Sequence, residues 1–190
     1  MTKIIASITM SLDGFIAGQN ISENSPMGEN GILLHRWIFD QHTEIDKKIL
    51  SDLVENSGAV ILGSRTYNTA INIAWEGQSP FDVPAFVLIN TDPVGKKPGF
   101  TFVRDGIRSA LSQAQDVARG GNIWIMGGAN VIQQFMNENL LDEIHVHVAP
   151  ILLGKGTPLF SGSRSTNTAL TRFNTIDTEG ATHLFYGIVK

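Results

Sequence analysis

Apolar positions along this chain alternate between two spacings, one suited to strands and one to helices. Residues 4–10 form a short apolar-rich run of strand length, broken by Ser11-Leu12-Asp13-Gly14. Residues 19–31 are rich in Gly, Ser, Asn and Glu and read as a long surface loop, a kind that in compact domains is usually functional or mobile. Residues 33–39 lead into a predicted amphipathic helix with Ile45, Ile49, Leu50, Leu53 and Val54 on one side and Gly58 as its end. A buried strand is predicted at 59–62, followed by Gly63-Ser64-Arg65-Thr66-Tyr67 and a short helical piece. Further strands are predicted at 83–89, broken at Asn90-Thr91-Asp92-Pro93, and at 100–103. Asp105 stands where it can cap a helix carrying Ile107, Ala110, Leu111, Ala114, Val117 and Ala118.

The second half repeats the scheme. Ile123-Trp124-Ile125-Met126 runs into Gly127-Gly128-Ala129-Asn130 and then a helix with Val131, Ile132, Phe135, Met136, Leu140 and Leu141 on one face. Leu141-Asp142-Glu143 is expected to close that helix as a solvated terminus, before a strand over 144–150. Residues 170–176 and 182–189 lie either side of Asp177-Thr178-Glu179-Gly180, a hairpin signal. This order predicts an α/β fold: a mostly parallel sheet with flanking helices, finished by an antiparallel hairpin at one edge. No repeat or linker divides residues 1–190, so one domain is expected.

Composition narrows the function. With 190 residues, 42% of them hydrophobic, the chain can bury a core. Its net charge of −4 and the lack of a basic stripe argue against nucleic acid or an anionic membrane as the main partner. The absence of cysteine removes disulfides, thiolate metal sites and cysteine nucleophiles. No long apolar segment resembles a signal peptide or a membrane span, so a cytoplasmic protein is expected.

Two strand-to-helix turns look alike: Gly63-Ser64-Arg65-Thr66 and Gly127-Gly128-Ala129-Asn130. Open α/β sheets bind ligands at the carboxyl ends of their strands, and free N–H groups at helix starts suit anions. Two such turns suit a dinucleotide, with Arg65 and Thr66 as added phosphate partners. Neither turn is a GxGxxG or GxxxxGK[ST] motif. His145 and His147 share one strand face and can form half of a metal site; without a third ligand at a recognisable spacing, a solvent- or interface-facing surface is favoured and no metal is expected. Trp37 and Phe39 could line a flat-ring pocket or belong to the core. Asp13 could place a carboxylate in that pocket or simply form a turn.

Taken together, these residues resemble the dihydrofolate reductase-like superfamily, most closely the branch related to the riboflavin-biosynthesis reductase (RibD C-terminal) domain. The resemblance rests on five ordered pieces: residues 11–17, Leu34-His35-Arg36-Trp37, residues 62–67, Gly127-Gly128-Ala129, and 140–160 with Ala149-Pro150-Ile151-Leu152-Leu153-Gly154-Lys155-Gly156 inside it. It implies a central sheet of about eight strands with NADPH, or NADH, across the strand ends. On this resemblance Gly63, Ser64, Arg65 and Thr66 with Gly127, Gly128, Ala129 and Asn130 hold the cofactor phosphates, Asn90 and Thr91 contribute from the next loop, and Ile16 and Ala17 line the nicotinamide.

Three departures from the family pattern matter. Ser64 replaces an arginine that can pair with the 2′-phosphate, and Asp92 stands near where a basic residue is usual, with Lys96, Lys97 and Arg104 as possible substitutes. Met126 replaces a glutamate before the two glycines, and an Asp-Asp-Pro segment is missing. The expected function is therefore an NAD(P)H-dependent reductase of a planar heterocycle, pterin-like or pyrimidine-like, acting as a homodimer. Asp40 and Asp13 are its candidate catalytic carboxylates, and Trp37, Phe39 and Met126 its substrate contacts. The rival is a nucleotide-binding or regulatory protein that keeps the cleft without reductase chemistry.

Overall fold

In a computed structural model the described residues are 2–40, 43–91, 95–161 and 168–190. Five parallel strand pairings build most of one sheet from β1 (Ile4–Ser11), β3 (Ser57–Gly63), β4 (Ala85–Leu88), β5 (Phe100–Val103), β6 (Asn122–Gly127) and β7 (Glu143–Ala149). An antiparallel hairpin, β9 (Leu170–Asp177) and β10 (Thr182–Ile188), extends it through β7, giving eight strands in the order β5-β4-β3-β6-β1-β7-β10-β9. This is the architecture the alternation of helix and strand spacing predicted. A small second sheet, β2 (Phe15–Ala17) on β8 (Thr157–Pro158), was not legible in that pattern, because each piece is too short to show a period.

The continuous apolar run in β3 has a direct cause. Ala59 and Ile61 belong to the core under α4 (Gly106–Val117) and α5 (Ala129–Asn137). Val60 and Leu62 belong to a second core with Tyr67 and Ile71, formed by α3 (Ser64–Ala70) and the residue after it. Successive side chains point to opposite faces, and here both faces are covered.

Several boundaries differ from expectation. In α2 (Glu44–Glu55), Ile45 and Val54 are exposed, and the fully buried residue is Asp46, which completes a capping box with Thr43. The apolar stripe is therefore narrower than the periodicity suggested, and an acidic residue carries the buried contact. Gly58 does not end this helix; it lies inside β3, where a Cβ would come within 2.1 Å of the Ala118 carbonyl oxygen. Helix α5 stops at Asn137, with Asn139 in a left-handed conformation at φ 52°, so residues 141–143 lie beyond the helix. Asp142 accepts from the Ile4 amide, and Glu143 opens β7 with its carboxylate held by Lys3 at 2.6 Å and His145 at 2.9 Å. Neither is a solvated helix terminus. Asp105 occupies the N-cap position of α4, but its side chain makes no capping hydrogen bond.

Candidate functional site

The two glycine turns meet. Leu62 of β3 pairs in register with Gly127 of β6, so both strands deliver their helices to one sheet edge. A Cβ built on Gly63 would lie 3.0 Å from Val131 Cγ2 and 3.8 Å from the Gly128 nitrogen, and one on Gly128 would lie 3.8 Å from Thr66 Oγ1. The Gly127–Gly128 peptide is cis. The 3.8 Å approaches are ordinary contacts and only Gly63 against Val131 is tight, while Gly127, at φ 126°, adopts a conformation that favours glycine.

These turns border a cleft of about 690 Å³. Its lining includes Ile16, Ala17, Gly63, Ser64, Arg65, Thr66, Asn90, Met126, Gly128, Ala129 and Asn130, all singled out from sequence. Gly127 is buried, Thr91 is exposed, and neither lines the cleft. Asp92 lies outside the described residues. Lys96 sits 5.5 Å over the Phe102 ring, while Arg104 does line the cleft.

The starts of α3, α4 and α5 all open on this space, at Ser64, Gly106 and Ala129, and none carries a side-chain cap. By contrast α2, which does not open there, has a complete capping box. Uncapped first turns leave N–H groups for a ligand, with the positive end of the helix dipole behind them. Arg65 and Arg104 add two guanidinium groups, and no Asp or Glu is found among the described lining residues. The Arg65 backbone carbonyl accepts from the Thr69 hydroxyl at 2.9 Å, while its guanidinium makes no hydrogen bond or ion pair with any described residue. In a chain of net charge −4, the charged side chains among the described lining residues are both arginines. That donor set fits an extended polyphosphate ligand such as a nicotinamide dinucleotide.

The expected carboxylates are elsewhere. Asp13 accepts from the Ser11 hydroxyl and from the Leu153 and Gly154 amides at 3.1 and 2.6 Å, tying two loops together. The Ser11 hydroxyl, against partial desolvation and with both amides, holds its carboxyl below the usual range. Asp40 is exposed beside Arg36, at 3.9 Å. Neither lines the cleft, so the turn-forming reading of Asp13 describes its surroundings. Trp37 is 2% exposed, donates from Nε1 to Thr9 Oγ1 at 3.1 Å and packs on His147 and His183; it is core. Phe39 is 57% exposed and also lies outside the lining, 6.3 Å from the His35 ring.

His147 does not face solvent. Ser7 Oγ lies 3.0 Å from its Nε2, His183 Nδ1 lies 2.8 Å from its Nδ1, and Asp46 Oδ1 lies 2.9 Å from His183 Nε2. All four residues are buried. Among the described residues no group of three His, Asp or Glu is arranged to hold a metal ion.

Sequence reasoning missed His35, Ile21, Pro26, Met27 and Trp75, which also line the cleft. The long polar loop was the available signal, since it supplies Ile21, Pro26 and Met27 as inward-facing apolar side chains.

Comparison with known proteins agrees with this layout. The family described as the RibD C-terminal domain matches residues 2–182. The uncharacterized protein YwjB of Bacillus subtilis (strain 168) is 30% identical over 158 residues, 83% of this chain and 82% of the relative. A crystal structure from Shewanella sp. PV-4, of a protein provisionally assigned to riboflavin biosynthesis, superposes over the whole of both chains with TM-score 0.76 at 24% identity. A dihydrofolate reductase from Enterococcus faecalis complexed with NADP(H) superposes with TM-score 0.65 at 15% identity, over 98% of this chain and 97% of that one. These likenesses establish a dihydrofolate reductase-like fold.

Proposed function

The chain belongs to the RibD C-terminal domain family, and from that premise we propose that it is an NAD(P)H-dependent reductase of a planar heterocyclic substrate, pterin-like or pyrimidine-like. The observation that carries this reading is the cleft itself: three uncapped helix starts and two arginines, with no carboxylate among its described lining. Arg65 and Thr66 would hold one phosphate group, and the first turn of α5 with Asn130 another. Ile16 and Ala17 would bound the nicotinamide, which supplies a hydride when bound. The protein's part is alignment and exclusion of water around the reacting atoms.

The apolar substrate rim is Met126 with Ile21, Met27 and Trp75, in place of the Trp37 and Phe39 expected from sequence. Such a rim suits a flat ring better than a ribosylated, polar one. A second reading, a nucleotide-binding protein without turnover, is favoured by the same absence of a described carboxylate from the cleft. Titrating NADPH and NADH by fluorescence and thermal shift tests the shared premise. A hundredfold excess over Kd should stabilise the fold by about 2.7 kcal/mol, which raises Tm by roughly 5–10 °C in a chain of this size. No shift with either nucleotide at millimolar concentration would remove both readings. Binding without oxidation of NADPH by any heterocycle offered would favour the second.

A further inference from the structure

We infer that His35 is the proton-handling residue of this cleft, its Nε2 meeting a ring nitrogen of the substrate; the inference rests on the reductase reading above.

Four observations place it there. His35 lines the cleft from the end of the 3-10 turn Gly31–His35. Its Nδ1 lies 3.4 Å from the Gly31 carbonyl oxygen, and a carbonyl only accepts. The neutral ring therefore carries its proton on Nδ1, which leaves the Nε2 lone pair without a partner among the described residues. The turn is seated at the Ala17 end of the cleft: a Cβ on Gly31 would lie 3.0 Å from Met27 Cβ and 3.9 Å from Ala17 Cα. That is the end where Ile16 and Ala17 would bound the nicotinamide, so His35 would stand beside the reacting atoms.

Chemistry makes the choice narrow. The other polar side chains of the described lining are Ser, Thr, Asn, Gln and Arg, none of which exchanges a proton near neutral pH. Reduction of a C=N bond adds a hydride to carbon and a proton to nitrogen. A bound reduced nicotinamide would supply the hydride to carbon, and as the π pair moves to nitrogen the His35 imidazolium would give that nitrogen its Nε2 proton. The ring returns neutral and is recharged from solvent. Burial pushes the imidazole below its ordinary value, opposed by the Gly31 carbonyl, which makes the charged form a stronger acid. Of the elements packed on this turn, β1 and β2 contain no ionisable side chain; β7 carries His147, kept neutral by burial, and Glu143 and His145, which pair with each other; α1 (Arg36–Phe39) and the residue after it bring Arg36 and Asp40, which also pair.

Diethylpyrocarbonate labelling with peptide mapping tests the placement without knowledge of the substrate. Among the described histidines His35 should label fastest, because His145, His147 and His183 all hold partners. NADP+ with folate at ten times its Kd should slow that labelling about tenfold by mass action. The second arm compares H35Q with wild type for NADPH oxidation by dihydrofolate and by the ribosylated aminopyrimidinone, whose sugar carbon can still accept a hydride. H35Q should bind NADPH normally, lose about 10²–10⁴-fold in turnover, and lose the rise in rate towards acid pH. If NADPH does not bind the wild type, the reductase reading falls first. If it binds but leaves His35 labelling unchanged, or if H35Q keeps the wild-type rate and pH profile, the role of His35 is overturned.

Discussion

Nδ1 of His147 and Nδ1 of His183 lie 2.8 Å apart in the core, so one ring must donate and the other accept. Asp46 settles which. Burial pushes its carboxyl up, but donors from Thr43, Thr178 and His183 together hold it below the usual range, so it is ionised and can only accept. His183 then donates from Nε2 to Asp46 and accepts at Nδ1, His147 donates from Nδ1, and Ser7 donates to His147 Nε2. The chain joins α2, β10, β7 and β1, and with both rings neutral every member has a partner.

Acid should therefore loosen the fold well above the pH at which carboxylates protonate. Burial pushes His147 down to about 3, and burial also lowers His183. The unfolded rings gain protons through about pH 6.5, whereas folded His147 does so only near 3 and folded His183 below its ordinary range. Stability is thus full above about 6.5 and falls steadily towards pH 3, by an amount on the order of 5 kcal/mol for His147. Urea melts at a series of pH values check this. H147Q should flatten the slope between these limits, and an unchanged slope would refute the assignment.

Gly58→Ala should destabilise the chain by about 1–3 kcal/mol through forced backbone movement. The added Cβ would meet Ala118 backbone oxygen at 2.1 Å, and no rotamer relieves a backbone clash. A urea midpoint equal to wild type would show that the β3–α4 junction is looser than described.

Arg65→Ala should weaken NADPH binding by roughly 1.5–3 kcal/mol, the usual loss for a charge-assisted hydrogen bond, which is about 10- to 150-fold in Kd. Ser64 in place of a family arginine should keep the NADPH-over-NADH preference modest. A preference above about a thousandfold would refute this and point to Lys96, Lys97 or Arg104 as substitutes, of which Arg104 lines the cleft.

Dihydrofolate should be reduced in preference to the ribosylated pyrimidine. Met126 offers that substrate no polar partner, and each unpaired buried polar group costs on the order of 1–3 kcal/mol. Loss of reduced-nicotinamide absorbance with each substrate measures the order. Robust turnover of the pyrimidine alone would reverse it.

A homodimer formed through the β9 side is expected in solution. Strand β9 is the sheet edge, seven of its eight residues are exposed, and Leu170 and Phe173 are 41% and 56% exposed. Light scattering at tens of micromolar should report twice the 20.7 kDa chain mass. Phe173→Glu should return the monomer, and a monomeric wild type would end the proposal.

Periodicity alone determined the strand–helix order, the parallel sheet and the C-terminal hairpin, because spacing of 2 or 3.6 is a local property that survives wherever one face is buried. The two glycine turns were legible for the same reason: each is a contiguous strand–turn–helix unit. What the sequence could not reveal depends on contacts between distant residues. Asp46 and His183 stand 137 positions apart, and nothing near either shows that the other neutralises its burial cost. Trp37 and His35 are two residues apart in one motif, yet Trp37 turns into the sheet core and His35 into the cleft. Asp13, adjacent to a strand end, was captured by the Leu153 and Gly154 amides, which only the folded chain brings within reach. Local chemistry chose the elements and the anion-ready turns; three-dimensional packing decided which polar side chains face the ligand and which hold the fold together.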